Sequence, residues 1–479
     1  MKMIIAGKPV DAKDGAKIEV IDPFTGKRVD TVPAATEADC KKAVTAAKRA
    51  QKKWAAVPVS QRVDIMLRFV ELVERDKAKL ARTLSRETGK PITEAKAEIA
   101  NIPVAFRAFS ERAKHLYGEI IPGAQEPGQE ANTLLVKREP AGVVLAIIPF
   151  NFPCDLFDQK VAPALLAGNS VIVKPSTDNP LTLCMLTALL NEAGVTPGAA
   201  SVVTGRGSTV GNWLSQNPGI DVITMTGSTE VGIETARNAA DHLARVTLEL
   251  GGNDAFIVCD DADIDLAVEE MIWGRFYNAG QVCCASKRFL VQKKVLKTFE
   301  EKAVKRIKKI KVGDPSDKDT QLACLISADA AKKVDEQVNL TIEQGGKILL
   351  GGKKPRGAVY RPTVITNIPK TADVAKDMEI FGPVVSIIPF TTVDEAIEIA
   401  NASKFGLCGC VFTSDQKKAF DVASRLECGG AIINGASFFR SFEMPFGGYK
   451  FSGYGNEGVM TTFDEVTRTK TVVLKGIAI

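Results

Sequence analysis

Val143-Val144-Leu145-Ala146-Ile147-Ile148 is an unbroken apolar run that stops on Pro149-Phe150-Asn151-Phe152-Pro153. A run this short, bounded by prolines, reads as a strand buried on both faces. The pattern then repeats. Val171–Lys174 reads as a strand, followed by a helix entered through Asn179-Pro180, a strand at Ala200–Val203 and a short helix after Gly207. Asp221–Thr226, a helix after Ser228 and Val246–Leu250 continue it. Apolar strands alternating with helices imply a parallel sheet covered on both faces, hence an α/β fold of the doubly wound kind. Ala255–Cys259, an acid-capped helix from Asp263, and Phe289–Val291 resume the alternation, so a second α/β domain is expected beyond Gly251-Gly252.

Outside these runs, Ser60 is expected to cap an amphipathic helix with Val63, Leu67, Val70 and Val73 inward, stopping at Thr88-Gly89-Lys90-Pro91. Asn132–Arg138 and Thr469–Leu474 read as extended strands remote from either core, and such strands commonly pair with another subunit. The lysine-dense segment Lys293–Lys311 keeps Leu296, Phe299, Ala303, Ile307 and Ile310 at helical spacing, which describes a solvated helix face.

At 479 residues the chain is long for one core. A net charge of +5 with dispersed basic residues argues for neither nucleic acid nor a membrane surface as partner. Met1–Lys8 lacks the apolar core of a secretory signal, and no run approaches the ~20 residues needed to span a bilayer. Ten cysteines in no regular framework suit a reducing cytoplasm. No ligand cluster calls for a metal.

The chemistry concentrates around Cys283, in Gly280-Gln281-Val282-Cys283. A thiol is a strong nucleophile only once ionised. The chain has two histidines, His115 and His242, neither in a polar or glycine-rich cluster, so a carboxylate must serve as base. Glu249, at a strand end before Gly251-Gly252, is the candidate, and burial would raise its pKa toward a useful range. Asn151, fixed between two prolines, can donate an amide to a developing oxyanion. For phosphate, Gly205–Gly211 lacks the Gly-x-Gly-x-x-Gly spacing, whereas Gly227–Gly232 joins a strand to a helix N-terminus. Lys174 adds a cation at a third strand end.

These segments resemble the aldehyde dehydrogenase superfamily over essentially the whole chain. The likeness rests on Pro149–Pro153, Lys174–Ser176, Gly227–Gly232, Leu248–Gly252, Gly280–Cys283, Glu379–Val384 (Glu-Ile-Phe-Gly-Pro-Val) and Pro445–Gly453. It implies a Rossmann-like cofactor domain (1–121 and 141–251), a catalytic domain (252–449) and a small β oligomerisation element (122–140 and 450–479). It also implies that Cys283 attacks an aldehyde, that Asn151 and the Cys283 N–H hold the oxyanion, and that Glu249 activates water against the resulting thioester. Lys174, grouped with both the catalytic and the cofactor residues, would meet the adenosine ribose. Gly207 and Ser228 would lie along the adenosine and pyrophosphate, Glu379 on the nicotinamide ribose and Phe381 against the ring. Phe150, Thr177, Gly211, Val231 and Leu250 complete the expected cofactor contacts.

Three departures refine the expectation. Thr177 stands where many NAD-using members carry a glutamate, which with Lys174 and Arg206 favours NADP over a still possible NAD. Val282 replaces the arginine of the non-phosphorylating glyceraldehyde-3-phosphate branch. Gln159-Lys160 replaces the arginine of animal-type succinic-semialdehyde enzymes, and Arg440 reads as a surface arginine rather than an anion ligand. The expected substrate is a small aldehyde, of identity left open, and the expected assembly a homo-oligomer, a tetramer before a dimer. A coenzyme-A-acylating enzyme or a non-catalytic relative are the rival readings. The intact Asn151, Glu249 and Cys283 argue against both.

Overall fold

The computed structural model of the protein describes residues 1–478; Ile479, the last position of the expected oligomerisation element, lies outside them. The centre of the first sheet is parallel, in the order Ala200–Val202, Ser170–Lys174, Val143–Ile147, Val222–Thr226, Arg245–Glu249. The chain starts in the middle and winds outward in both directions, so Val143–Ile147 lies where strand order reverses, the usual place for a ligand crevice. Side-chain alternation supplies both faces. Val144, Ala146 and Val173 enter the core formed with the helices Val59–Thr88, Ile92–Ala113, Pro153–Leu166 and Leu181–Ala193. Val143, Leu145 and Ile172 enter the core on the opposite face, with the helix Glu37–Ala55.

The second sheet runs Lys347–Leu350, Thr363–Thr366, Val384–Phe390, Ser286–Gln292, Asp254–Val258, Cys408–Phe412, Gly430–Ile433, parallel apart from the first strand. The chain crosses from one sheet to the other between Glu249 and Asp254. Arg288, 3% exposed, braces that crossing. It donates to the carbonyls of Asn253 (2.6 Å), Ala375 (3.1 Å), Ile399 (2.8 Å) and Ala400 (2.9 Å). The two outlying strands, Thr133–Pro140 and Thr467–Leu474, pair with each other antiparallel, and Glu119–Pro122 adds a third.

The structure corrects some of these expectations and bears out others. The helix expected from Ser60 begins at Val59 after Pro58, with no side-chain cap, so Ser60 lies inside the first turn. Its buried stripe uses Met66 and Phe69, and Leu67 is 37% exposed. The helix after Pro180 is capped from a distance: Glu87, on the Val59–Thr88 helix, accepts from the N–H groups of Leu181 (2.7 Å) and Thr182 (2.9 Å). The short helix after Gly207 opens as one wide π turn, Gly207–Gly211, before Asn212–Ser215. The segment at Lys293–Lys311 forms a helix over Leu296–Ile307, with Phe299, Ala303 and Ile307 buried and the lysines outward.

Replacing Arg288 with Met leaves these carbonyls without their donor. At about 1–3 kcal/mol for each buried unsatisfied group, partly relieved by relaxation, we expect a loss of roughly 3 kcal/mol, read as a lowered urea midpoint. An unchanged midpoint would contradict the bracing role.

Candidate active site

The loop before Cys283 is wound the wrong way for ordinary residues. Asn278, Ala279 and Gly280 have φ of 49°, 53° and 76° in succession. At Gly280 a Cβ would stand 2.4 Å from the Gly382 carbonyl oxygen and 2.9 Å from that of Arg275, so only glycine fits. Hydrogen bonds hold the strained turn. Asn278 N donates to Glu94 Oε2 (2.9 Å), Asn278 Nδ2 to the Asn151 carbonyl (3.0 Å), and Ile326 N to Gln281 Oε1 (2.9 Å). Val282 and Cys284 are buried on either side, leaving Cys283 as the partly exposed residue.

Asn151 follows the central strand at the point of reversal. Its carbonyl also accepts from Lys90 Nζ at 2.8 Å, and Lys90 is ion-paired with Glu98 and sits 4.5 Å from the Phe152 ring centroid. Glu98 in turn accepts from Cys154 N (2.8 Å), in the first turn of the following helix. The Asn151 backbone is therefore fixed from several directions. Its side chain is different: Oδ1 is buried without a partner, and Nδ2 takes no acceptor among the described residues. Such an amide is held in place yet free to donate.

Glu249 ends its strand between Thr226 and Gly453, 2% exposed, and neither carboxylate oxygen has a hydrogen-bond partner. Burial pushes this carboxyl well above the ordinary range; Cys283 and Glu457 push the same way and Lys160 opposes them. The Cys283 thiol is held high too, by Cys284 first and then by burial, while Glu249 and Lys287 pull it down. Thiol and carboxyl therefore face each other as a neutral pair. Beside them Lys160 pairs with Glu457 and donates to Thr226 Oγ1 at 2.9 Å.

Aromatic rings border the thiol. Phe152 lies 6.1 Å from Tyr277 and 6.0 Å from Phe438, and Phe152, Phe438 and Phe446 pack with Cys283 in one apolar cluster. Arg440 is not the surface residue expected: it is 25% exposed, 3.5 Å above the Phe446 ring and 3.8 Å from Glu457.

The expected cofactor residues spread over the ends of neighbouring strands. Lys174 is 3% exposed and burial lowers its pKa to about 8; Nζ donates to the Pro175 carbonyl alone, so further donors stay unused. It makes no hydrogen bond to Asn151, Glu249 or Cys283. Thr177 Oγ1 donates to the Gly205 carbonyl (3.3 Å). Gly207 and Gly211 bracket the π turn, with open space where a Cβ would be. Ser228 caps the Thr229–Ala240 helix through Val231 N (3.4 Å), while Val231 itself is 45% exposed. Leu250 is a core side chain under Gly232. Phe150 meets Phe381 edge to face at 6.1 Å, near Glu379. A buried ammonium with spare donors and a serine-capped helix N-terminus, both at strand ends, fit an anionic dinucleotide.

The sequence profile described as "Aldehyde dehydrogenase family" matches residues 10–472. The chain belongs to the aldehyde dehydrogenase family. It is an oxidoreductase acting on aldehydes, and the fold expected from its sequence is the fold of its structural neighbours. A lactaldehyde dehydrogenase of Methanococcus maripaludis is 37% identical over 479 residues, covering 99% of this chain and 100% of that protein. An NADP-dependent enzyme of E. coli superposes with a TM-score of 0.96 at 35% identity, over 99% and 98% of the two chains. A betaine aldehyde dehydrogenase of Staphylococcus aureus, solved in complex with NAD+, gives 0.95 at 34% identity, over 99% and 95%.

Reading the sequence missed Lys90, Glu94, Glu98, Asn278, Lys160, Glu457 and Lys287 as parts of the site. Each looks like a solvent-facing polar residue on a helix or loop until the fold buries it. The constraint at Gly280 gives a direct test. Gly280→Ala should cost about 1–2 kcal/mol for the left-handed backbone, with the clash at Gly382 added. Displacing Cys283 by an ångström should lower kcat/KM by about 100-fold. Wild-type kinetics in the purified variant would refute the steric account.

Proposed function

We propose that this aldehyde dehydrogenase converts a small aldehyde to its carboxylic acid with NAD(P), through a thioester on Cys283 that water hydrolyses. The observation that carries this reading is the unpartnered, buried Glu249 carboxyl facing the thiol. Once Glu249 has lost its own proton to solvent, transfer of the thiol proton to its carboxylate frees the sulfur to bond to the aldehyde carbon. Asn151 Nδ2 and the Cys283 N–H donate to the oxygen that becomes negative. The bound nicotinamide supplies the acceptor for the hydride that this carbon loses. Glu249 passes the thiol proton to solvent and then takes a proton from water, which adds to the thioester carbon; the carbon–sulfur bond breaks, and the departing sulfur takes that proton from Glu249. Lys160 and Glu457 tune the base, the first favouring its ionised form and the second its neutral form.

Glu249 also decides against the rivals. A coenzyme-A-acylating enzyme hands the thioester to a thiol and has no need of a water-activating carboxylate, and a non-catalytic relative needs none of the three residues. In Glu249→Gln, where the thiol also loses its base, the reduced-cofactor burst should slow but still reach about one per site, while steady turnover falls by at least ~100-fold. Cys283→Ala should show no burst. Wild-type turnover should rise with pH as the high-lying Glu249 carboxyl ionises, and the glutamine variant should lose that dependence. Full turnover by the glutamine variant, or wild-type turnover only with coenzyme A, would overturn hydrolysis.

We assign the cofactor preference to NADP. Thr177 adds no charge, Lys174 keeps unused donors, and the exposed Arg206 has no ion-pair partner among the described residues. Asp178 faces Lys174 and offsets part of this charge. Thr177→Glu should shift the NADP-to-NAD ratio of kcat/KM toward NAD by about tenfold or more. A wild-type ratio already tenfold in favour of NAD would refute the assignment.

The three-stranded sheet leaves Ile120 and Val473 exposed, at 62% and 55%, which supports a role in a homo-oligomer, a tetramer on our reading. Ten unpaired cysteines suit a cytoplasmic location.

A further inference from the structure

Lys287 has no part in the reaction just described, yet its side chain is 1% exposed and stands against the nucleophile. Its Nζ donates to the carbonyl oxygen of Cys283 itself and lies 3.0 Å from Glu379 Oε1. The Phe381 ring centroid is 5.9 Å away. Glu379 also accepts from Gly252 N at 3.3 Å. The glycine pair after Glu249 makes this convergence possible. A Cβ on Gly251 would stand 2.7 Å from Glu379 Oε2, and one on Gly252 would stand 2.9 Å from the Cys283 carbonyl oxygen. One ammonium thus bridges the backbone of the nucleophile and a carboxylate beside Phe381, over a strip of chain that only glycine allows.

We propose that Lys287 is a positioning residue that ties the Cys283 loop to Glu379, so that cofactor seating and thiol presentation are set by the same ammonium. The proposal rests on the reading of Cys283 as nucleophile and Glu379 as the acceptor of the nicotinamide ribose hydroxyls. Hydroxyls donating into Glu379 neutralise part of the charge that offsets Lys287. The ammonium then acts more strongly on the thiol, and Cys283 becomes easier to ionise when the cofactor is bound. Asp254 also faces Lys287, and Glu249 and Cys284 face the thiol. Lys287 is the group that touches both the Cys283 backbone and the Glu379 carboxylate, and so forms the link between the two.

The test reads thiol reactivity without any aldehyde. Alkylation of Cys283 by iodoacetamide, followed by peptide mass mapping to separate it from the other cysteines, is measured against pH with and without NADP. In Lys287→Met the profile should move to higher pH, with alkylation near neutrality about tenfold slower and the response to NADP lost. The dissociation constant for NADP, titrated without aldehyde, should rise while Lys287→Arg restores part of both effects. Glu379→Gln should act oppositely on the cofactor-free protein, speeding alkylation by removing the competing charge, and it tests the idea even where Lys287→Met fails to fold. A folded Lys287→Met with a wild-type alkylation profile and a wild-type dissociation constant for NADP would overturn the proposal. So would lowered thermal stability with an unchanged profile, which marks a structural ion pair only. Because no aldehyde is present, these outcomes stand apart from the hydrolytic reading, which falls on turnover and burst experiments.

Discussion

The carbonyl oxygen of Asn151 accepts from Lys90 at 2.8 Å and from Asn278 at 3.0 Å, and so joins parts of the chain far apart in sequence. Lys90 belongs to the turn that ends a helix of the first layer, Asn151 to the central strand's exit, and Asn278 to the loop that delivers the nucleophile. A strained left-handed turn persists only where its surroundings over-determine it. Here the surroundings are a buried carboxyl and a buried ion pair. Glu94, raised to about 8 by burial, takes the Asn278 N–H, and Glu98 takes Lys90. Replacing such a network by apolar side chains would often cost little stability, which makes geometric specificity the better account of it. It places an amide and a thiol at one point and leaves both free to act.

Glu249 shows the opposite arrangement. A buried carboxyl without a partner is a cost to the fold that a structural residue would have shed. The cost is moderated because the group sits neutral against a neutral thiol. Burial and Glu457 both hold it in the neutral form, and Lys160 opposes them. Stability and reactivity are therefore set by the same surroundings, and relieving the first would dull the second.

The parallel strands were legible because burial on both faces writes itself as short apolar runs, as at Val143–Ile147 and Val222–Thr226. The ends of those runs also located Asn151, Lys174, Ser228 and Glu249. Apart from the Val59–Thr88 helix, the N-terminal layer was not legible. The helix Glu37–Ala55 buries mostly small residues such as Ala43 and Ala47, which give a faint periodic signal, and its capping box at Thr36 and Asp39 was overlooked. Edge strands such as Lys8–Val10 and Gly453–Tyr454 are too short to show a period. Lys90, Glu94 and Glu98 carry charges that sequence patterning assigns to solvent, and only tertiary packing turns them inward. Arg440 failed for a related reason: an arginine laid over Phe446 has the same sequence neighbourhood as one pointing into water.

Charge is placed around the reacting pair by one rule. The thiol and its base are neutral at rest, and the groups that shift them are held as ion pairs one step away. Lys160–Glu457 stands on the side of Glu249, and Lys287–Glu379 on the side of Cys283. A paired charge projects a weaker field than a lone one, so the site rests without a large electrostatic penalty. Engaging one partner of a pair exposes the field of the other. On the Cys283 side the engaged partner would be Glu379, at the place assigned to the nicotinamide ribose. The thiol would then gain its acidity when the hydride acceptor is in place, which limits idle reaction of an exposed thiolate.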